Sequence, residues 1–155
     1  MLAKLGPHHR AKLASLLAAT PEFTPAEVDV ALELVDCALA DPLSDDYHFI
    51  VAEEGERVLG YACFGATPMT EAAYDLYWLV VAAGARGRGI GGALFTAVED
   101  ELRRRGGHVI RVETSSLEGQ GGARRFYEKT GFRLAGAIPG FYRAGDDLLV
   151  FAKEL

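Results

Sequence analysis

Helical spacing of apolar residues is the clearest pattern in the first forty residues. Apolar side chains recur every three or four positions from Val28 to Leu39. They follow Thr24-Pro25-Ala26-Glu27, which has the form of a capping box with proline at the first helical position. A long helix ending near Ala40 is therefore predicted. The apolar stretch 13–19 predicts a shorter amphipathic helix, because it is too short and interrupted for a signal peptide despite the basic residues before it.

Strand and helix patterns alternate through the rest of the chain. Runs rich in β-branched and aromatic residues predict strands over 48–52, 58–64, 74–81, 109–114, 132–137 and 148–153. The first two flank a turn and should form an antiparallel hairpin. A helix between 90 and 105 should bury Leu94, Phe95, Val98 and Leu102, and a second helix should contain Phe126 and Tyr127. A loop containing Pro139-Gly140 should join the last two strands. This order predicts an α/β (α+β) fold, with helices packed on a mixed sheet.

Composition narrows the class of protein. The 155 residues are enough for one domain, 1–155, and half of them are hydrophobic. Sixteen basic and twenty-two acidic residues give a net charge of −6, which disfavours nucleic acid and anionic membrane surfaces as partners. Cys37 and Cys63 form no spaced framework, so we expect both thiols to be reduced, buried and inert, and the protein to be cytoplasmic. The four histidines lack metal-ligand spacing, so no metal is expected.

The junction between the strand ending at Val81 and the next helix is rich in glycine. Four glycines, at positions 87, 89, 91 and 92, flank the predicted helix start; residues 87–92 are called the glycine turn below. Backbone N–H groups at a helix start lack partners within the helix, and glycine lets an anion approach them closely. Arg86 and Arg88 add full positive charge. The turn therefore predicts a phosphate-binding site.

Two nucleotide-binding motifs compete for this turn. Residues 87–92 match G-x-G-x-x-G, and Glu113 follows at the distance of a dinucleotide-binding fingerprint. Against that interpretation, residues 82–86 separate the strand from the glycines, a hairpin precedes the motif, and too few residues follow for a doubly wound sheet. A P-loop is excluded because Ile90 stands where lysine is required.

Two motifs together resemble the GNAT superfamily of acyl-CoA-dependent N-acyltransferases. Residues 86–91 match R/Q-x-x-G-x-G/A, the pyrophosphate loop of that family, and residues 123–132 resemble its A-x-x-F-Y-x-K-x-G-F helix. The resemblance implies a mostly antiparallel sheet with a splayed strand pair and helices on both faces, and acetyl-CoA as cosubstrate. It assigns cofactor contacts to Leu79, Val80, Val81, Arg86, Gly87, Arg88, Gly89, Ile90, Gly91, Gly92 and Gln120. Two features depart from the family: residues 1–6 are a poor first strand, and Gln120 replaces a common asparagine.

Acetyl transfer to a primary amine by direct attack is the activity that this resemblance implies. The reaction needs a neutral amine, stabilisation of the developing oxyanion and protonation of the departing thiolate. Tyr127 is the candidate general acid, since a phenol with a pKa of about 10 is protonated at neutral pH; its alternative role is packing. Glu113 is the candidate base, directly or through water; its alternative role is a solvated or arginine-paired carboxylate. The Val81 N–H would face the thioester carbonyl.

The acceptor is open among small molecules, protein N-termini and lysines, and the sequence leaves open whether the protein forms a homodimer. A non-catalytic acyl-CoA sensor on the same scaffold is the alternative function from another class. A dinucleotide-binding oxidoreductase is the weaker third interpretation.

Overall fold

A seven-stranded sheet forms the centre of the computed structural model, which describes residues 1–117 and 122–155. The strands lie in the order β1-β2-β3-β4-β5-β7-β6. Their bounds are β1 Leu2–Lys4, β2 His48–Glu54, β3 Arg57–Ala66, β4 Ala73–Val81, β5 Val109–Ser115, β6 Arg133–Arg143 and β7 Asp146–Glu154. The helices are α1 Arg10–Ala18, α2 Pro25–Ala40, α3 Ile90–Arg104 and α4 Gly122–Lys129. Within the described residues, no helix is long and apolar enough to cross a membrane.

Strands β4 and β5 form the parallel pair in an otherwise antiparallel sheet, and they separate soon after they meet. Their ladder contains three pairs, the last being Asp75 with Arg111, although both strands continue beyond it. β5 instead pairs along its whole length with β7. On its other side β4 follows β3, with an irregularity at which Tyr77 has no partner in the register. The predicted splayed pair is confirmed, and it opens toward the end of β4 at Val81.

Helices cover the sheet on two faces, as predicted. Tyr61 and Cys63 of β3 pack into one core cluster with α1 and α2. Ala62 and Phe64, which alternate with them along the strand, pack into a second cluster with α3 and α4. The predicted buried face of α3 is confirmed, because Leu94, Phe95, Val98 and Leu102 are all buried. Thr24 caps α2 through a reciprocal bond pair with Glu27, as its sequence indicates.

The first strand, for which residues 1–6 are a poor candidate by sequence, is present but short: it has three residues and pairs with β2. Two sequence expectations differ from the structure. Cys37 is exposed, so the expectation of two buried thiols is wrong for Cys37 and holds for Cys63. The expected loop around Pro139-Gly140 is wrong, because β6 runs to Arg143 and only residues 144–145 separate it from β7. The Asp147 carboxylate, which accepts a bond from the Gly140 N–H, stabilises this irregular part of the strand.

Tyr61 buries its hydroxyl without a hydrogen-bond partner among residues 1–117 and 122–155. This burial also raises the pKa of the phenol. An unsatisfied buried polar group costs roughly 1–3 kcal/mol. We therefore expect Tyr61→Phe to increase the free energy of unfolding in urea by about 1 kcal/mol. The control Tyr61→Ala should lower it by about 3–5 kcal/mol through the cavity it leaves. A loss of stability in Tyr61→Phe would contradict this account.

Candidate active site

The glycine turn carries unpaired backbone amides just beyond the end of β4. A 3₁₀ turn over Ala83–Ala85 leads into it, and Gly87 and Gly89 have φ angles of 77° and 78°. These left-handed conformations favour glycine, and Gly89 is the N-cap of α3. The N–H groups of residues 90–92 have no hydrogen-bond acceptor in the described parts of the chain. Together with the positive end of the helix dipole, they suit an anion such as a diphosphate.

Arg86, just before the glycine turn, and Arg88, within it, are both held by carboxylates. The Arg86 guanidinium donates to Glu22 at 2.8 Å, and Arg88 donates to Glu54 at 2.7 Å. The hydrogen bond from Arg86 lowers the pKa of the Glu22 carboxyl, and the bond from Arg88 does the same for Glu54. The arginine charge is therefore partly neutralised in this arrangement, which leaves the backbone amides as the main source of positive potential.

The edge of β4 near Val81 faces the gap left by β5. The Ala82 N–H donates to the Leu59 carbonyl of β3 at 2.8 Å. Since successive peptide groups of a strand point to opposite sides, the N–H and carbonyl of Val81 point away from β3, toward the gap. The Val81 carbonyl accordingly lies 3.4 Å from Nε of Arg86. A ligand containing amides can pair with this free edge.

A cavity of about 470 Å³ joins the glycine turn to the gap, and it is called the donor cavity below. Gly91 connects its two sides, because a Cβ at that position would lie 3.3 Å from the Phe126 ring and 3.6 Å from Val81. The two sequence motifs thus meet in space. The donor cavity is lined by Thr20, Glu22, Phe23, Leu79, Val80, Val81, Arg86, Gly87, Gly91, Gly122, Ala123, Phe126 and Tyr127.

Tyr127 projects from α4 into an aromatic cluster at the wall of this cavity. Its ring contacts the rings of Phe126, Phe132 and Phe151 at centroid distances of 5.5, 5.3 and 5.9 Å. The residue is only 8% exposed, yet it lines the donor cavity. The ring is therefore both packed and accessible to a ligand, so that the packing role and the acid role are compatible.

Glu113 lies on the other face of the sheet. Its neighbours Val112 and Thr114 are buried, whereas the Glu113 side chain is 48% exposed and lies 3.9 Å from the guanidinium of Arg111. Arg111 in turn donates to the buried carboxylate of Asp75 at 2.7 Å, where β4 and β5 separate. Glu113 is therefore next to the gap but is not among the residues lining the donor cavity.

The structure brings most, but not all, of the predicted site residues together. Six of the predicted cofactor residues line the donor cavity together with Tyr127. They are Leu79, Val80, Val81, Arg86, Gly87 and Gly91. The rest of the glycine turn does not line the donor cavity: Arg88, Gly89, Ile90 and Gly92. Gln120 lies outside the described residues. Sequence reasoning missed the wall formed by 20–23, because no local motif marks that contact. Asp146 carries no sequence signal for its place in the structure, where it is buried and accepts bonds from Ser115 and Arg143.

Two other features of the structure, a second cavity and a histidine cluster, are weaker candidates for a functional site. A second cavity, of about 530 Å³, lies at the opposite end of α3, and Arg105 in its wall is paired with Glu101 and Asp45. His8, His9 and Glu53 cluster closely enough for a metal. However, Nδ1 of His9 accepts the Gly6 N–H at 2.9 Å, so its Nε2 carries the proton and donates to Glu53 at 2.7 Å. That tautomer suits a hydrogen-bonded pair better than a ligand set.

Comparisons with known proteins agree with this geometry. Residues 13–132 match the model of the acetyltransferase (GNAT) family. A GNAT-family structure from Desulfovibrio desulfuricans superposes with a TM-score of 0.95 at 39% identity, covering 99% of this chain and 98% of that one. An aminoglycoside 6′-N-acetyltransferase complexed with coenzyme A shares the fold, with a TM-score of 0.78 at 21% identity over 99% of this chain and 96% of that one.

A relative found by sequence is blasticidin-S acetyltransferase of Streptomyces morookaense. It is 39% identical over 82 residues, 52% of this chain and 55% of the relative, so the match spans about half of that protein's length. The residues matched by the family model, 13–132, include both motifs, the splayed strands and the residues that line the donor cavity. The chain belongs to the acetyltransferase (GNAT) family.

Proposed function

We propose that this protein, as a single domain over 1–155, transfers an acetyl group from acetyl-CoA to a primary amine by direct attack. Acetyl-CoA is the cosubstrate of the family. The observation that carries the proposal is the donor cavity, which joins the glycine turn to a free strand edge and a tyrosine. These are the three parts that a diphosphate, an amide-containing arm and a departing thiolate require. A cytoplasmic location, which the use of acetyl-CoA fits, is part of the proposal.

The donor would lie across the end of β4. The amides of residues 90–92 with Arg86 and Arg88 would hold the diphosphate, and the free edge of Leu79–Val81 would pair with the pantetheine arm. Gly87 and Gly89 would shape the turn, and Gln120 would add a contact from the following loop. The Val81 N–H, which points into the gap, would stabilise the oxyanion of the tetrahedral intermediate.

Proton transfer would use one residue from each face of the sheet. Glu113 would remove a proton from the ammonium or from the attacking amine, directly or through water. The amine nitrogen would attack the thioester carbonyl, and the bond to sulfur would break. Tyr127 would then give its phenolic proton to the thiolate. The acetylated nitrogen would release its remaining extra proton to solvent, and a proton from solvent would restore the phenol. Asp75 is less suitable as a base because Thr67 and Arg111 already occupy its two carboxylate oxygens, at 2.8 and 2.7 Å.

The acceptor is an amine on a small molecule, a protein N-terminus or a lysine. The names of relatives supply a first panel: blasticidin S, an aminoglycoside and a peptide beginning with alanine. A polyamine completes it. A second copy of the chain, if one binds, would find apolar side chains on the edge strand β6, where Leu134, Ile138 and Phe141 are exposed.

Replacing Tyr127 with Phe separates catalysis from binding. We expect kcat to fall by about 10²-fold or more in a thiol-release assay, because the thiolate leaves without its proton donor. The Kd for CoA, measured by calorimetry, should stay within about twofold of wild type, since the ring packing is kept. Tyr74→Phe, in the same core cluster, is the control. Full turnover in Tyr127→Phe would contradict the acid role, and a wild-type protein that binds CoA without turnover would indicate a sensor.

Glu113→Gln tests the base. The variant should lose about 10²-fold in kcat/KM near neutral pH. Its rate should recover as the pH rises, because the amine then loses its proton to solvent without help. Glu56→Gln removes another exposed carboxylate, one that pairs with Lys12, and should keep the wild-type pH profile. A pH profile in Glu113→Gln equal to that of wild type would show that the base is another group.

Gly89→Ala tests the shape of the glycine turn. An alanine at the φ of 78° costs about 1–2 kcal/mol, so the turn should shift and the Kd for CoA should rise about tenfold. Gly84→Ala is the matched control, since residue 84 does not have a left-handed φ and a Cβ there meets no atom within 4 Å. Equal CoA affinity for Gly89→Ala and Gly84→Ala in calorimetry would argue against the diphosphate site.

A further inference from the structure

The Arg86–Glu22 ion pair lies in the wall of the donor cavity. Glu22 lies in the connection between α1 and α2, and Arg86 immediately precedes the glycine turn. Both residues line the donor cavity, and their charged groups are 2.8 Å apart. The pair therefore links the wall formed by residues 20–23 to the turn that is proposed to hold the diphosphate.

This pair is better shielded than the other ion pair of the turn. The Glu22 side chain is 26% exposed, whereas Glu54, the partner of Arg88, is 56% exposed and does not line the donor cavity. The hydrogen bond with Glu22 also raises the pKa of Arg86. Glu22 is thus held in place by Arg86, and a ligand that needs this guanidinium must compete with the carboxylate.

The segment around Glu22 is anchored on both sides. Thr20 is buried and its hydroxyl donates to the Leu16 carbonyl at 2.8 Å. The Phe23 ring meets the Trp78 ring edge-on at 5.2 Å. These contacts keep the segment at the cavity wall when the carboxylate changes partner. Phe23 lines the donor cavity together with Glu22, and an aromatic ring with a carboxylate suits a cationic group.

We propose, on the basis of the proposed function, that Glu22 changes partner when the donor binds, leaving Arg86 to the diphosphate and turning to the ammonium of the acceptor amine. Carboxylate and diphosphate carry like charges and cannot both keep close contact with one guanidinium without repulsion. The donor therefore binds before the acceptor. The Glu22 carboxylate becomes available to a cationic acceptor only after the diphosphate has replaced it at Arg86. Glu22 is a specificity-determining residue that selects cationic acceptors.

Glu22→Gln tests both halves of the exchange. With the competing charge removed, the Kd for CoA in calorimetry should fall about three- to tenfold. At saturating acetyl-CoA, the KM for spermidine, kanamycin or blasticidin S, whichever the wild type acetylates, should rise at least fivefold with kcat within about twofold. Asp36→Asn is the matched control: it removes one charge from an Arg10 pair outside the donor cavity and should change neither value.

The outcomes separate this proposal from the proposed function. An unchanged or higher Kd for CoA in Glu22→Gln overturns the exchange, and so does an unchanged acceptor KM. A wild-type protein without affinity for CoA overturns the proposed function. If the wild type binds CoA but acetylates no amine, the proposed function and the acceptor half of the exchange both fail, while the CoA titrations still decide whether Glu22 competes for Arg86.

Discussion

The separation of β4 from β5 is the constraint on which the rest of the site depends. β5 pairs with β7 from end to end, and β4 stays bonded to β3, so the two strands share only three pairs. Beyond Asp75 and Arg111 the inner edge of β4 has no strand beside it among residues 1–117 and 122–155. Backbone groups at such an edge need partners. An amide-containing arm can supply them in the way an added strand does, which makes the gap a binding site for an extended ligand.

The same separation explains how a chain with a net charge of −6 can bind a polyanion. A short 3₁₀ turn connects the end of β4 to the glycine turn, whose amides at the start of α3 are unpaired in the described parts of the chain. Both nearby arginines are paired with carboxylates, so their charge is reduced until a stronger anion competes. The attraction is local and comes largely from main-chain dipoles. It therefore depends on the shape of the turn more than on the number of basic residues.

The sequence predicted those parts of the molecule that are governed by local rules. The capping box of α2, the buried face of α3 and the left-handed glycines each follow from residues close in the chain. Cys37 was misplaced because α2 buries only Ala31 and Val35, and position 37 points away from that face. The extent of β6 was missed because Pro139 and Gly140 suggest a loop. The bond from the Gly140 N–H to Asp147 on the facing strand, which holds that segment, is not visible in a local pattern.

Contacts between residues far apart in the sequence could not be predicted from local patterns. The Arg86–Glu22 contact joins residues 64 positions apart. The position of Glu113 on the face opposite Tyr127 follows from strand alternation once β5 is placed, but its distance to Arg111 does not. The site therefore follows from two local motifs plus one topological fact, the splayed pair, and the topology came from a resemblance rather than from periodicity.

Titration of the ¹⁵N-labelled protein with CoA, followed by amide chemical shifts, tests the central claim most directly. The account predicts that the largest saturable changes in chemical shift fall on the amides of residues 87–92 and of Leu79–Val81. NAD at equal concentration should leave the chemical shifts of these amides unchanged. Shifts that cluster elsewhere, or none with CoA, would contradict it.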